Sequence, residues 1–336
     1  MPTHEIRQRV NRRLEELYRR HLPLHDDEVV SYYNSGIGYN NPEQIAQAGQ
    51  KPFSISLATP DGEVFHAGDH DRLFALQSIS KVFVYGLALE ACGRDRVLER
   101  VGVEPSGDAF NSIVFDERNN RPYNPMVNAG ALATTALVES VETTEQALER
   151  ILGAIRRYAG NQGLEVDEDT FEAEMRTADR NRATAYLMRS DGMLAGDIEA
   201  TLALYLRQCS ISVTCHDLAV MAATLANGGV NPATGEQVLS PQYVRDVLSV
   251  MHTCGMYDFA GQWAYQIGIP AKSGVSGGII AVVPGKLGIG VFSPGLDAYG
   301  NSVRGTAVCE EISERLGLHI FADKAEDALL GSARSF

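Results

Sequence analysis

Ser78 and Lys81 stand three positions apart in Gln77-Ser78-Ile79-Ser80-Lys81, at the entry to an apolar run. On a helix that spacing puts a hydroxyl and an amine on one face, within hydrogen-bonding reach. Such a pair is a nucleophile with its own base, and the chemistry it suits is acyl transfer. Serine is a weak nucleophile at its own pKa, and a lysine with a reference pKa near 10.4 is neutral in only about one molecule in 2,500 at pH 7. The amine must therefore be made less basic. Burial beside Ile79, Val82 and Phe83 would do this, and so would a second cation, for which Lys272 in Lys272-Ser273-Gly274-Val275 is the candidate.

Acyl transfer also needs donors for the oxygen that becomes negative. At the first turn of a helix the Ser78 backbone N–H has no intrahelical acceptor and is available for that oxygen. The second donor is assigned to the Val275 backbone, where Gly274 and Gly277-Gly278 permit close approach.

The elements that would position these groups follow from periodicity. Residues 4 to about 21 read as a helix with a stripe of Ile6, Val10, Leu14 and Leu17 and arginines on its other faces, ending before Pro23. A solvated helix docked by its stripe on the same or a neighbouring chain outweighs a membrane-surface reading. Residues 54–58 and 64–67 flank Pro60-Asp61-Gly62 and read as a hairpin. Helical periods then run from Ser78 to about residue 252, including segments 129–141, 143–158, 184–193, 198–207, 215–227 and 241–251. Strand character returns in 278–283 and 287–292 around Pro284-Gly285-Lys286, and a last helix covers about 302–316.

Strands near both ends with a helical insert predict an α+β fold: one antiparallel sheet closed by distant segments and flanked by helices, beside an all-helical lobe. The expected organisation is an N-terminal helix (1–25), a discontinuous sheet lobe (26–85 and 240–322), a helical lobe (86–239) and a loosely held tail (323–336), with the site between the lobes.

With 336 residues, 44% hydrophobic and 21% charged, the chain can bury a large core. A formal net charge of −14 repels polyanions and argues against nucleic acid, whereas a small zwitterion or neutral amide fits. Five widely spaced cysteines without a C-x-x-C pair argue against a disulfide framework or a zinc site and imply a reducing cytoplasm. The N-terminus has no apolar signal region and no later stretch is long enough for a membrane span, so a soluble, unprocessed protein is expected. The eight histidines, among them His66, His70, His216 and His252, lack metal-ligand spacing and read as structural.

A Ser-x-x-Lys followed downstream by Lys-[Ser/Thr]-Gly resembles the paired motifs of serine β-lactamases and penicillin-binding proteins. The blocks Asn124 to Ala131, Asp179-Arg180-Asn181, Cys209 to Thr214, Met221 to Gly229, Cys254 to Asp258 and Ala271 to Gly278 form an ordered series that resembles the serine-dependent glutaminase family over roughly residues 28 to 320. The resemblance implies a β-lactamase-like fold and hydrolysis of L-glutamine to L-glutamate and ammonia, without metal or organic cofactor. It implies Ser78 as nucleophile, Lys81 as base and Tyr257 as an aid to proton transfer. Val275 then contacts the substrate amide oxygen through its backbone, and Asn128, Glu174, Asn181 and Tyr205 bind substrate. A homo-oligomer, dimer or tetramer, is the family expectation.

The residue types suit the ligand, since an α-ammonium needs an acceptor such as Glu174 and an α-carboxylate needs donors. Read without the resemblance, each has a plainer role. Asn128 and Asn181 are placed to cap the helices that follow them, Glu174 lies in an acidic stretch that reads as a solvated face, and Tyr205 and Tyr257 read as core-edge residues. One departure from the family pattern concerns the N-terminal segment. The usual tyrosine two residues before a proline is replaced by Tyr39-Asn40-Asn41-Pro42, so Tyr39 is left outside the site. Two rivals stay open at this level, a β-lactam- or peptide-acylating hydrolase and a silent glutamine-binding module.

Overall fold

The computed structural model describes residues 4–24, 52–108, 112–140 and 143–322. The Tyr39 to Pro42 departure and the tail after Ala322 lie outside these described residues. Seven strands are present among them: β1 (Ser54–Ala58), β2 (Val64–Gly68), β3 (Phe74–Ala75), β4 (Ser212–Val213), β5 (Ala271–Ser273), β6 (Gly278–Val283) and β7 (Leu287–Phe292). Five of them form a sheet in the order β2-β1-β7-β6-β5, with every neighbouring pair antiparallel. The predicted hairpins are its β1–β2 and β6–β7 pairs, and β1 with β7 closes the sheet between segments more than 200 positions apart.

Alternation along the strands sends side chains to two separate cores even though nearly every position is buried. Ile279, Ala281 and Val283 of β6, with Ile289 and Val291 of β7, pack with Leu14 and Leu17 of the first helix (His4–His21) and with Val308 and Ile312 of the last (Val303–Leu316). The amphipathic stripe of the first helix is thus docked on its own chain through Val10, Leu14 and Leu17, while Ile6 at its start is exposed. On the opposite face, Ile280, Val282 and Phe292 join the large cluster built by the helices.

The helix Cys215–Ala226 lies directly on that second face, although it falls within the stretch assigned to the helical lobe. Two glycines of β7 make this possible. A Cβ on Gly288 would sit 2.2 Å from Ala223 N, and one on Gly290 2.7 Å from the Cys215 carbonyl oxygen. Local signals fix the helix ends. Thr143 and Gln146 form a capping box for Thr144–Ala159, Thr214 and Asp217 form one for Cys215–Ala226, and Gly160 ends its helix in the left-handed conformation.

Two boundaries differ from the sequence reading. The helix bearing Lys81 starts at Ser80, and Ser78 occupies a 3-10 turn, Gln77–Ile79, in front of it. The helix expected from residue 184 begins at Asp179, so Asn181 lies inside it. No helix among the described residues is long and apolar enough to cross a membrane.

Candidate active site

Lys81 sits in the first turn of the Ser80–Cys92 helix with its side chain wholly buried. The buried Val82, Phe83, Tyr85 and Leu89 of the same helix anchor it in the main core, which keeps the Lys81 side chain out of contact with solvent. Its Nζ donates to Asn128 Oδ1 at 2.6 Å and to the Met126 carbonyl at 3.3 Å. Burial pushes the amine down to about 8, since the desolvated ammonium is the disfavoured form.

Asn128 gathers three residues. Besides Lys81, its Oδ1 accepts from the Tyr205 hydroxyl at 3.2 Å, and its Nδ2 donates to Asn181 Oδ1 at 2.9 Å. The capping role expected from sequence is overturned for both asparagines. Val127 is the N-cap of the helix Asn128–Glu139, Ala178 that of Asp179–Ser190, and neither cap carries a side-chain bond. Asn128 is already the first helical residue, with its amide spent on side chains from three other helices.

Gln77, next to Ser78, has φ 52°, a left-handed conformation that costs a residue with a Cβ about 1–2 kcal/mol. Its Nε2 donates to Glu174 Oε1 at 3.0 Å. Glu174 is partly buried near the end of the helix Glu168–Arg176, so it is not on the fully solvated face that its acidic neighbours suggested. Tyr257 has φ 56° and is also strained. Among the described residues only one other non-glycine, Asn120, has positive φ, so strained backbone concentrates here.

The other wall is the edge strand β5 and its exit. Lys272 is wholly buried, donates to the Ser273 carbonyl at 2.7 Å and stands 4.1 Å from the centre of the Tyr257 ring. The Tyr257 hydroxyl donates to the same carbonyl at 3.0 Å. Burial, with the Lys81 charge adding to it, holds the Lys272 amine well below the usual lysine range. A Cβ on Gly274 would lie 3.1 Å from the Leu76 carbonyl oxygen and 3.5 Å from Gln77 Cβ. Strand exit and serine turn therefore touch, which sets Val275 beside the turn that bears Ser78, in a small cluster with Tyr257 and Leu296.

The sequence-predicted residues thus fall into a linked set. Lys81, Asn128, Asn181 and Tyr205 form one hydrogen-bonded group, Glu174 joins the serine turn through Gln77, and Tyr257, in its own 3-10 turn, is bonded to β5 and clusters with Val275 just past that strand. Sequence reasoning missed Gln77 and the Met126 carbonyl, because a strained glutamine and a backbone acceptor leave no compositional mark. Among the described residues no group of three or more His, Cys, Asp or Glu could hold a metal ion.

An antiparallel sheet with helices on both faces, a Ser-x-x-Lys at the mouth of a buried helix and a Lys-Ser-Gly on the adjoining edge strand define the β-lactamase-like class of fold. A family model described as Glutaminase matches residues 39–321. A curated glutaminase of Trichormus variabilis is 59% identical over 298 residues, 88% of this chain and 89% of that one. The crystal structure of Mglu in its glutamate form superposes with a TM-score of 0.85 at 41% identity, over 96% of this chain and 72% of that one. A probable glutaminase of Bacillus subtilis gives 0.82 at 35% identity, over 93% and 98%. The chain belongs to the glutaminase family.

Proposed function

We propose that the protein hydrolyses L-glutamine to L-glutamate and ammonia through an acyl-enzyme on Ser78. The buried Lys81 amine, held by Asn128, is the single observation that carries the mechanism. A neutral amine has two N–H bonds and one lone pair. The N–H bonds are spent on Asn128 and Met126, and the lone pair is left to take the Ser78 proton.

Ser78 Oγ bonds to the side-chain carbonyl carbon of glutamine as its proton passes to Lys81. The ammonium of Lys81 then protonates the amide nitrogen, the C–N bond breaks, and ammonia leaves a γ-glutamyl ester. Water adds to that ester, giving a proton to Lys81, which returns it to Ser78 as glutamate departs. The Ser78 and Val275 N–H groups hold the oxyanion in both halves, and the Tyr257 hydroxyl assists the proton transfers. Glu174 takes the α-ammonium, while Asn128, Asn181 and Tyr205 bind the zwitterion with neutral groups.

Curated relatives named as glutaminases and the glutamate form of Mglu support this choice of substrate. The same reading retains the N-terminal helix and a division into a sheet lobe and a helical lobe with the site between them, the larger hydrophobic cluster running from the helices onto one face of the sheet. It also retains a cytoplasmic location, in keeping with free Cys92, Cys209, Cys215, Cys254 and Cys309, and a homo-oligomer.

Ser78→Ala tests the reading directly. Ammonia release from glutamine should vanish while calorimetry still detects glutamate binding, and substantial remaining turnover would remove Ser78 from its role.

A further inference from the structure

We infer that His66 and His216 form a two-histidine clamp for a divalent transition-metal ion of the zinc type, joining the edge of the sheet to the helix that covers it. The two residues are 150 positions apart, so no local spacing announces them. Sheet register brings them together. Ser56 of β1 pairs with His66 of β2 on one side and with Gly290 of β7 on the other. The missing side chain at Gly290 lets the start of the Cys215–Ala226 helix settle on this row, which delivers His216 to His66.

The geometry suits a shared ion better than a hydrogen bond. His66 Nε2 and His216 Nδ1 face each other at 3.4 Å, beyond the usual range of about 2.7–3.2 Å for a hydrogen bond from nitrogen. Two nitrogens each about 2.0–2.1 Å from a tetrahedral zinc ion lie about 3.3 Å apart. The ring centres then fall about 5.1 Å apart, and here they are 5.2 Å apart. Both side chains are half-buried, which leaves room for water to complete the coordination.

The surroundings supply the orienting contacts that metal-binding imidazoles use. His66 Nδ1 lies 3.0 Å from Ser56 Oγ, so with Nδ1–H donating to the hydroxyl the Nε2 lone pair faces His216. His70 stacks on His66 at 4.1 Å, with its Nδ1 3.2 Å from the Gly68 carbonyl and its Nε2 turned toward the Asp71 carboxylate at 3.4 Å. It braces the ring and does not serve as a ligand. Two protein donors with water make an exchangeable site, in keeping with imidazole's preference for zinc, copper and nickel.

Titration of the chelator-treated full chain with zinc chloride tests the site, followed by calorimetry and by thermal unfolding. One equivalent should bind and raise the melting temperature. Ser56→Ala should weaken binding by roughly tenfold, and His66→Gln or His216→Gln by more, with His319→Gln unchanged. In the unmodified protein zinc should also shield His66 and His216 from diethyl pyrocarbonate, read by peptide mass, which needs no variant to fold. Absence of binding at millimolar zinc, equal affinity in the His66→Gln/His216→Gln double variant, or unaltered labelling of both histidines would overturn the site.

Discussion

Asn128 Oδ1 lies 2.6 Å from the Lys81 amine, and that amide is the point at which the helices of the site are tied together. A neutral acceptor can hold an uncharged amine without restoring its basicity, whereas a carboxylate in the same place would favour the ammonium and keep the base protonated. In the proposed mechanism the choice of asparagine over aspartate is therefore part of the chemistry.

Asn128→Asp should accordingly raise the Lys81 pKa and move the acid limb of kcat/KM for glutamine to higher pH. Asn128→Leu, which removes one partner each from Lys81, Tyr205 and Asn181, should destabilise the fold by about 1–3 kcal/mol. It should also lower kcat by about a hundredfold or more as the base loses its position. A pH profile of the first variant that matches the parent's would show that the amide does not set the base.

With the Lys81 pKa lowered to about 8, kcat/KM should fall by about tenfold per pH unit below that value and level off above it. Stability follows the same proton. Between pH 8 and the ordinary lysine value the unfolded chain holds a proton that the folded one has released, so unfolding free energy rises with pH through that window. Below it the cost of burying the amine is constant. Urea denaturation of the parent and of Lys81→Met at pH 7 and pH 9.5 should show a larger rise in the parent.

Gln77 combines a strained backbone with a bond to Glu174, and two variants separate these. Gln77→Ala keeps the unfavourable φ and loses the bond, while Gln77→Gly loses both the bond and the strain. Gly should be more stable than Ala by about 1 kcal/mol in chemical denaturation. Both should raise KM for glutamine, because Glu174 loses a donor that orients it. Equal stability of the two would mean that the left-handed turn is not under strain.

Gly288→Ala would drive a methyl group into the backbone of the helix Cys215–Ala226, where neither element can yield. A loss of about 1–3 kcal/mol or more is expected, read as a lowered melting temperature with ammonia release lost in parallel. Gly285→Ala meets no atom within 4 Å but has φ 72°, so its penalty should be confined to the turn and smaller.

Much was legible along the chain because it depends on neighbours in sequence. The β1–β2 and β6–β7 hairpins follow from short apolar runs around Pro60-Asp61-Gly62 and Pro284-Gly285-Lys286, and the helix ends at Thr143 and Gly160 follow from caps that use adjacent residues. The three-residue spacing of Ser78 and Lys81 is likewise local, although Ser78 stands in a 3-10 turn ahead of the helix that carries Lys81. What sequence could not decide is which partner each polar side chain would choose. Asn128 at a helix start is equally suited to capping and to holding an amine, and only the packing of Lys81, Tyr205 and Asn181 around it selects the second. The left-handed Gln77, the join of β1 to β7, and the meeting of His66 with His216 belong to the same category. Each is fixed by contacts between segments brought together only when two faces of one sheet are buried, and hydrophobic burial specifies the faces without naming the polar neighbours.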